Sequence, residues 1–538
     1  MSARLGYVRK TRIPRSVRRA GIAAAAAFLL ALAVLAGPQQ AASPQAGSGQ
    51  PPAVTRGPVP MSYVRGEPLR IGNVVQLLAD EYVVEDRWML TRKVGTTYKW
   101  MKGPVLVQDK PWEDKIGAYP CVLFDEKMGK YRMWYQCFDL TNYFARQGPS
   151  YYVGYAESDD AFNWTKPALE GFPFGGHAKT NIVSTGRGGR RASGMQVLLN
   201  PDQSNPARRF MMVYIGNFGI DLAYSPDGLH WTDVEKPMFE YHSDFPNHLV
   251  WVPEQRLWYL YLRAPVRAAG TSAIPEGLRH VGRRLGVSTS SDLVQWSLPR
   301  MILYPDERGE PDYDNVVVFR RHGLFLALYS EMHQEKGGSE NEMYVATSRD
   351  GIHWDRTWDR KPLVPRGPEG SYDHGQVEPG TSPPLEMRED LLIYYYASPV
   401  GQGHWGAETG VGVARLRRDR FIGQWAGDQT GYLVTRQFVI EGSRLRLNCS
   451  SVPAPYYKET DGIWVEILEA PDFKKRETRW ETKVPGFTMD DCDRIVTDNL
   501  AHTVTWKGKA DLSALKGRSV YLRFKMKRAG LFGFQVAP

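Results

Sequence analysis

"SRDGIHW", residues 348–354, decides the fold, because close relatives of it recur along the chain. "YAESDDAFNW" ends at Trp164, "AYSPDGLHW" at Trp231, "VSTSSDLVQW" at Trp296 and "ATSRDGIHW" at Trp354, at steps of 67, 65 and 58 residues. A degenerate fifth copy, "VARLRRDRFIGQW", ends at Trp425, a further 71 along. Upstream of the copies lie apolar runs: "YRMWYQC" (131–137), "RFMMVYIG" (209–216), "LWYLYLR" (257–263), "LFLALYSE" (324–331) and "LLIYYYAS" (391–398). Runs rich in β-branched and aromatic residues, bounded by Gly, Pro and Asp, predict strands. Asp-Gly is a hairpin-turn signal. The Asp side chain accepts from N–H groups of its own turn, Gly takes the positive φ, and Trp returns to the apolar layer. Every part of the heptapeptide thus has a structural role, and Asp350 is expected to shape a turn and not to catalyse.

Five copies of a three- or four-strand unit predict an all-β fold, a five-bladed β-propeller over residues 70–428. The stretch "VVQLLADEYVVED" (74–86) is expected to complete the ring by pairing with the last blade. A tandem β-sandwich fits five recurring hairpins poorly. After Trp425 the style changes: "RLRLNCS", "GIWVEILEA", "HTVTWKG" and "SVYLRFKM" predict short strands without the Trp motif. Residues 429–538 are read as a C-terminal β-sandwich.

The net charge of +9 on 538 residues does not signal a nucleic-acid partner. Seven basic residues, from Arg4 to Arg19, crowd the first 19 positions with no acid among them, and the remainder is close to neutral. An unbroken apolar run, residues 20–36, follows. A basic segment before a short apolar one is the pattern of a secretory signal, or of an uncleaved N-terminal anchor at this length. Arg18-Arg19 permits twin-arginine export. Residues 37–69, rich in Pro, Gly, Ala and Gln, read as a flexible linker. The expectation is an exported protein, periplasmic, cell-surface or extracellular, with no other membrane span. Four cysteines (Cys121, Cys137, Cys449, Cys492) allow up to two bridges in three connectivities, and none has the spacing of a zinc or redox motif.

In a propeller the first strand of each blade lines the central channel, so carboxylates at the starts of those strands are the candidates for chemistry. Blade 3 begins "HSDFPNHLVW" and blade 4 "EPDYDNVVVF", sharing D-x-x-N: Asp244 with Asn247, and Asp312 with Asn315. Blade 5 begins "SYDHGQVEPGTSPP", supplying Asp373 and Glu378. Blade 1 follows "QDKPWEDKIGAYP", with Glu113 and Asp114, whereas blade 2 offers only Arg190 and Arg191. Converging acids repel, which keeps one protonated beside an ionised neighbour. Such a pair cleaves glycosidic bonds: one acid protonates the leaving oxygen while the other acts as base or nucleophile. Capping of turns is the competing role for each single Asp or Asn. Oxygen ligands around the axis also suit Ca²⁺; otherwise no cofactor is expected.

The repeats, inner-strand acids and C-terminal sandwich resemble the five-bladed propeller glycoside hydrolases of the invertase/levanase and arabinanase/xylosidase type, families 32 and 43. The chain is more closely similar to exported family-32-like glycosyl hydrolases common in planctomycetes. These carry segments similar to "IGNVVQLLADEYVVED", "TNIV", "HSDFPN", "SRDGIHW" and "GSYDHGQ", and a tail similar to "MDDCDRI…VTWKGKADLSALKGRSVYLRFKM". The resemblance spans residues 71–536. The invertase motifs W-M-N-D-P-N-G, R-D-P and E-C do not occur; "DKPWED" and "VEPG" are their loose counterparts. The resemblance implies Asp114 as base, Asp244 as transition-state stabiliser and Glu378 as acid, with Asp312 able to replace any of them.

Expected substrate ligands are Trp112, Asn247, Arg263, Asp314, Asn315, Glu331, Asp373 and His374. Trp100 and Trp405 are further stacking platforms, and His242 and His248 lie near the proposed mouth. "GQGHWG" (401–406) matches a dinucleotide fingerprint, but a strand follows it where a helix is needed. "GRGGRRASG" lacks the P-loop ending. The leading reading is an exported glycoside hydrolase acting on a poly- or oligosaccharide. The alternatives are a non-catalytic carbohydrate-binding or scaffold propeller and a sialidase-like enzyme, which requires an arginine triad and usually six blades.

Overall fold

The computed structural model describes residues 68–538 except 242, 245, 265–282, 304–311, 336–337, 357–358, 452–459 and 470–481. The expected signal or anchor (1–36), all but the end of the linker (37–69) and His242 lie outside the described residues. Among those described, no helix is long and apolar enough to cross a membrane.

Five antiparallel units succeed one another. The first comprises Lys115–Asp125, Lys130–Phe138, Tyr151–Ser158 and Ile182–Ser184; the second Ser193–Leu199, Phe210–Ile215, Ile220–Ser225 and Thr232–Asp233. The third is His248–Val252, Leu257–Arg263, Leu285–Ser290 and Arg300–Leu303, and the fourth Asp312–Arg321, Leu324–Glu335, Gly338–Ser348 and Trp354–Arg356. The fifth, joined to the fourth through the Asn341–Gln376 bridge, runs Gln376–Pro379, Asp390–Ser398 and Gly410–Arg417. Thr97–Lys99 and Leu106–Val107 supply its outer strand.

The second strands read as continuous apolar runs because both of their faces are covered. "FMMVYI" is buried at every position, whereas the outer "RMIL" strand of the third unit is half exposed. Apolar layers fill the gaps between units: Met211, Val213 and Leu260 between the second and third, Tyr261, Val318 and Ala327 between the third and fourth.

Hydrogen bonds tie successive units together. Gln196 holds the third unit through Leu249, donating to its carbonyl (3.1 Å) and accepting from its N–H (2.7 Å). The Tyr261 hydroxyl donates to Gly351 O (3.0 Å), linking third to fourth. Asn315 Nδ2 donates to Pro379 O (2.6 Å), linking fourth to fifth. Thr381 closes the circle, its N–H donating to Pro120 O (2.9 Å) and its hydroxyl to Met195 O (2.7 Å).

The repeated motif forms one turn four times. Oδ1 of Asp160, Asp227, Asp292 and Asp350 each accepts the N–H groups two and three residues on, at 2.8–2.9 Å. A serine two residues upstream donates to the same oxygen. Trp354 Nε1 closes its turn on Gly351 O (3.2 Å).

Two expectations need correction. The 74–86 stretch does not close the ring: Gln76–Leu77 pairs with Ala529–Ala537, and Val84–Trp88 with Gly431–Thr435, both in the sandwich. The fifth Trp motif is not a blade turn either. Ile422–Ala426, with Trp425, is a sandwich strand between Leu90–Val94 and Ala529–Ala537. "VARLRRDRFIGQW" has Phe421 where the other copies have the turn-forming Asp, and Asp419 where they have the Ser, and Arg420 is drawn to the sandwich by Asn448 Oδ1 (2.8 Å) and Cys449 O (2.9 Å). The sandwich therefore begins before the propeller and ends after it. All four cysteines are buried free thiols.

Candidate active site

Glu378 lies on the inner strand of the fifth unit, opposite Tyr396. Asp314 lies on that of the fourth, inside a register shift between Tyr313 and Val316. A bulge re-aims a side chain, and here it turns Asp314 into the same cavity as Glu378. Asn341 bridges the two acids, its Nδ2 2.6 Å from Glu378 Oε1 and 3.3 Å from Asp314 Oδ2. Because one nitrogen reaches both, those oxygens are at most about 6 Å apart, below the roughly 6.5–9.5 Å spacing of inverting glycosidases. Arg283 makes an ion pair with Asp314 Oδ1, and Gln402 Nε2 donates to its Oδ2 (3.3 Å).

Burial, then the neighbouring Asp314 charge, pushes the Glu378 carboxyl up to about 8; Asn341 and Arg283 oppose the shift. Its proton is thus retained at neutral pH beside an ion-paired carboxylate. Tyr119 lines the cavity from the first unit, at a second bulge and with a φ of 59°. Burial and the two acids raise its phenol well above the usual range, so it stays a hydrogen-bond donor.

The cavity measures about 330 Å³, within the range of small-ligand sites. One wall is aromatic. Trp405 stacks on Phe138 at 5.5 Å between ring centres and 13° between planes, and Tyr143 packs against both rings. Tyr143 rides a six-residue helix, Leu140–Ala145, capped by Asp139, whose side chain accepts from Asn142 N. Tyr151 continues the wall, 4.5 Å from Phe138 between ring centres, and Arg191 packs on it; Asp244 also lines the cavity and is paired with Arg263 at 3.1 Å.

Of the residues named from sequence, Asp244, Asp314, Glu378 and Trp405 line this cavity, with Arg263 behind Asp244. Asp114 does not: it is exposed, and its carboxylate accepts from Leu140 N (2.9 Å). Its neighbour Glu113 is buried and accepts from Tyr135 and Lys166, both at 2.7 Å. Asp312, two residues before the bulge, is buried outside the cavity opposite Met332. Asp373 is consumed by Lys99 (2.5 Å), Tyr395 (2.9 Å) and Ser371 (3.0 Å). Trp112 is buried with Nε1 on Asn181 (2.8 Å), and Trp100 packs on Phe162. Asn247 is fully buried beside His248, and Asn315 is the clamp between units. Glu331 is buried against Arg360 (3.3 Å) away from the cavity. The His374 ring sits 3.3 Å from Gly367 O. His248 faces Gln196 (2.9 Å), and burial holds its ring down to about 3, so it is a neutral internal residue and not a mouth ligand.

Sequence reasoning missed Asn341, Tyr119 and Arg283. The glycine and proline around Tyr119 in "GAYP" signalled a broken strand, whereas nothing local marked Asn341 or Arg283. Among the described residues no three His, Cys, Asp or Glu side chains gather as cation ligands.

No protein-family model matches the chain, and no curated protein sequence matches it. Similar solved structures include a fructofuranosidase from Schwanniomyces occidentalis complexed with fructosylnystose, 12% identical, covering 80% of this chain and 96% of its own, with a TM-score of 0.38. The catalytic domain of a family-62 α-L-arabinofuranosidase from Coprinopsis cinerea is 13% identical over 60% of this chain and 97% of its own, with a TM-score of 0.39. An N-acetylgalactosamine deacetylase from F. plautii, complexed with blood group B trisaccharide, is 15% identical over 62% and 97%, also with a TM-score of 0.39.

Proposed function

We propose that the protein is an exported glycoside hydrolase acting on a poly- or oligosaccharide. The observation that carries this reading is the Asn341-bridged pair of a buried Glu378 and an ion-paired Asp314 beneath an aromatic wall. Glu378 donates its proton to the glycosidic oxygen as that bond breaks, and the Asp314 carboxylate attacks the anomeric carbon to give a glycosyl ester. Water, deprotonated by the now ionised Glu378, then cleaves the ester and restores both acids. Trp405 supports a sugar ring by stacking, and Asp244 receives hydroxyls at the rim. Export is read from the basic leader and the apolar run of residues 20–36.

A specific observation favours a second reading, a carbohydrate-binding propeller without catalysis. The Arg283 ion pair occupies one oxygen of Asp314, and the inner strands of the first two units bring no carboxylate to the cavity.

Hydrolysis of a glycan panel by the wild type, Glu378→Gln and Asp314→Asn separates the two. The enzyme reading expects kcat/KM to fall by roughly 10²–10⁴ in each variant, with Asp114→Asn and Asp312→Asn near the wild type. It also expects an alkaline limb as Glu378 loses its proton near pH 8. Undiminished activity in both variants removes the assignment; binding without turnover on any glycan supports the binder.

A further inference from the structure

We infer that the cleft is built for a glycan carrying an anionic substituent, a carboxylate or a sulfate ester, held in a second chamber beside the acid pair. The inference deepens the glycan reading above and rests on it.

The second chamber, about 750 Å³, shares Tyr143, Tyr151, Arg191 and Asp244 with the first, so the two are continuous. Its charged side chains are Arg146, Arg190, Arg191 and Asp244. The single acid is already paired with Arg263, at 3.1 Å. None of the three lining arginines has a carboxylate partner among the described residues, whereas nearby Arg187 is ion-paired with Asp221. Among the described residues, three arginines therefore line the chamber against one acid that is itself paired.

Two turns deliver these arginines. Arg146 ends the Leu140–Ala145 helix in a left-handed conformation, φ 55°. Arg190 and Arg191 follow a tight turn in which Gly188 and Gly189 both take positive φ, 69° and 68°. Arg191 is fixed further: its guanidinium carbon lies 4.8 Å from the centre of the Tyr151 ring. Stacking leaves the planar edge of the guanidinium for a ligand, and its Nε is buried without any acceptor. A buried donor is rarely left unpaired in a finished site. A planar carboxylate or a sulfate offers the paired oxygens that a guanidinium fork matches, which sugar hydroxyls do not. Gln147 and Asn217 stand in the same chamber with neutral amides for the remaining hydroxyls.

The test uses the full chain as Glu378→Gln, so that bound glycan is not turned over. Titration calorimetry compares oligogalacturonates with their methyl esters, and sulfated oligosaccharides with their desulfated forms. At least one anionic member is expected to bind ten-fold or more tightly than its neutral counterpart, and less tightly as salt rises. Adding Arg190→Gln and Arg191→Gln is expected to abolish that preference, with an unchanged melting curve as the check on folding. Arg191→Lys keeps the charge, loses the fork, and is expected to restore only part of it. The pair of probes that responds tells carboxylate from sulfate. Equal binding of charged and neutral members, no binding of any anionic member, or a preference that survives the double arginine change overturns the inference. The two readings fail separately. Glu378-dependent hydrolysis of neutral glycans without anionic preference removes the subsite and keeps the acid pair. Arginine-dependent anionic binding without turnover does the reverse.

Discussion

Asp350 and Glu378 are both acids near strand ends, yet their surroundings assign them opposite duties. Against the upward push of burial, N–H donors from His353 and Ile352 hold the Asp350 carboxyl low. Replacing it by alanine orphans those donors and is expected to cost about 1–2 kcal/mol in a denaturant titration, while glycan binding in the cavity stays unchanged. Glu378 has the reverse sign. Its folded pKa lies above its unfolded value of 4.5, so its contribution to stability is full below about pH 4.5 and is lost as pH rises toward 8. Glu378→Gln keeps the Asn341 contact without the buried charge. It is expected to exceed the wild type in stability at pH 8, the gap closing by pH 4.5 in melting curves across that range. The sequence showed Asp350 for what it is, because its turn is local chemistry four times repeated. It did not separate Asp314 from Asp312: strand alternation puts positions two apart on one face, and only the bulge after Tyr313 distinguishes them.

At the scale of elements, the second strands were legible because burial on both faces forces unbroken apolar runs. The outer strands were not, since two- or three-residue edges such as Thr97–Lys99 carry no period to detect. That strand nevertheless closes the ring. It pairs with Leu416, Arg415 and Ala414, and Lys99 reaches into the fifth unit to the buried Asp373. Burial lowers the Lys99 ammonium while the Asp373 hydrogen bond and charge work against that shift. Lys99→Ala strands Asp373 among Tyr395 and Ser371, and breaking a buried pair from one side is expected to cost about 3 kcal/mol. Hydrogen exchange gives the local readout: faster exchange at Gly410–Arg417 amides that bond the lost edge, with the second unit unaffected. Equal exchange in both units would mean the closing strand is held by its backbone pairing alone.

For the whole molecule, composition and motif style suggested a boundary after Asp428, and the chain does change character there. Contact pattern draws the line elsewhere, because strands at both ends of the chain build one sandwich around a shared core. Leu69, Leu78, Val83 and Val84 are buried with Leu433, Phe524 and Phe534. Such a pairing across hundreds of residues leaves no local trace, and a change in strand style cannot reveal it. Ion pairs then weld the sandwich segment to the blades: Asp80 receives Arg349 at 2.6 and 2.8 Å, and the buried Arg92 meets Asp355 at 2.9 Å. A chain cut to residues 70–428 keeps every strand of the five units but deprives Val84–Trp88 of Gly431–Thr435 and Gln76–Leu77 of Ala529–Ala537. It would expose the apolar faces of Leu78, Val83 and Val84 beside unpaired strand edges, a combination that favours aggregation. The full chain is expected to melt in one cooperative transition and the shortened chain to aggregate or to melt far lower, read by scanning calorimetry and light scattering. A shortened chain that stays monomeric and melts at the full-length temperature would show that the propeller stands alone and the sandwich is carried by it.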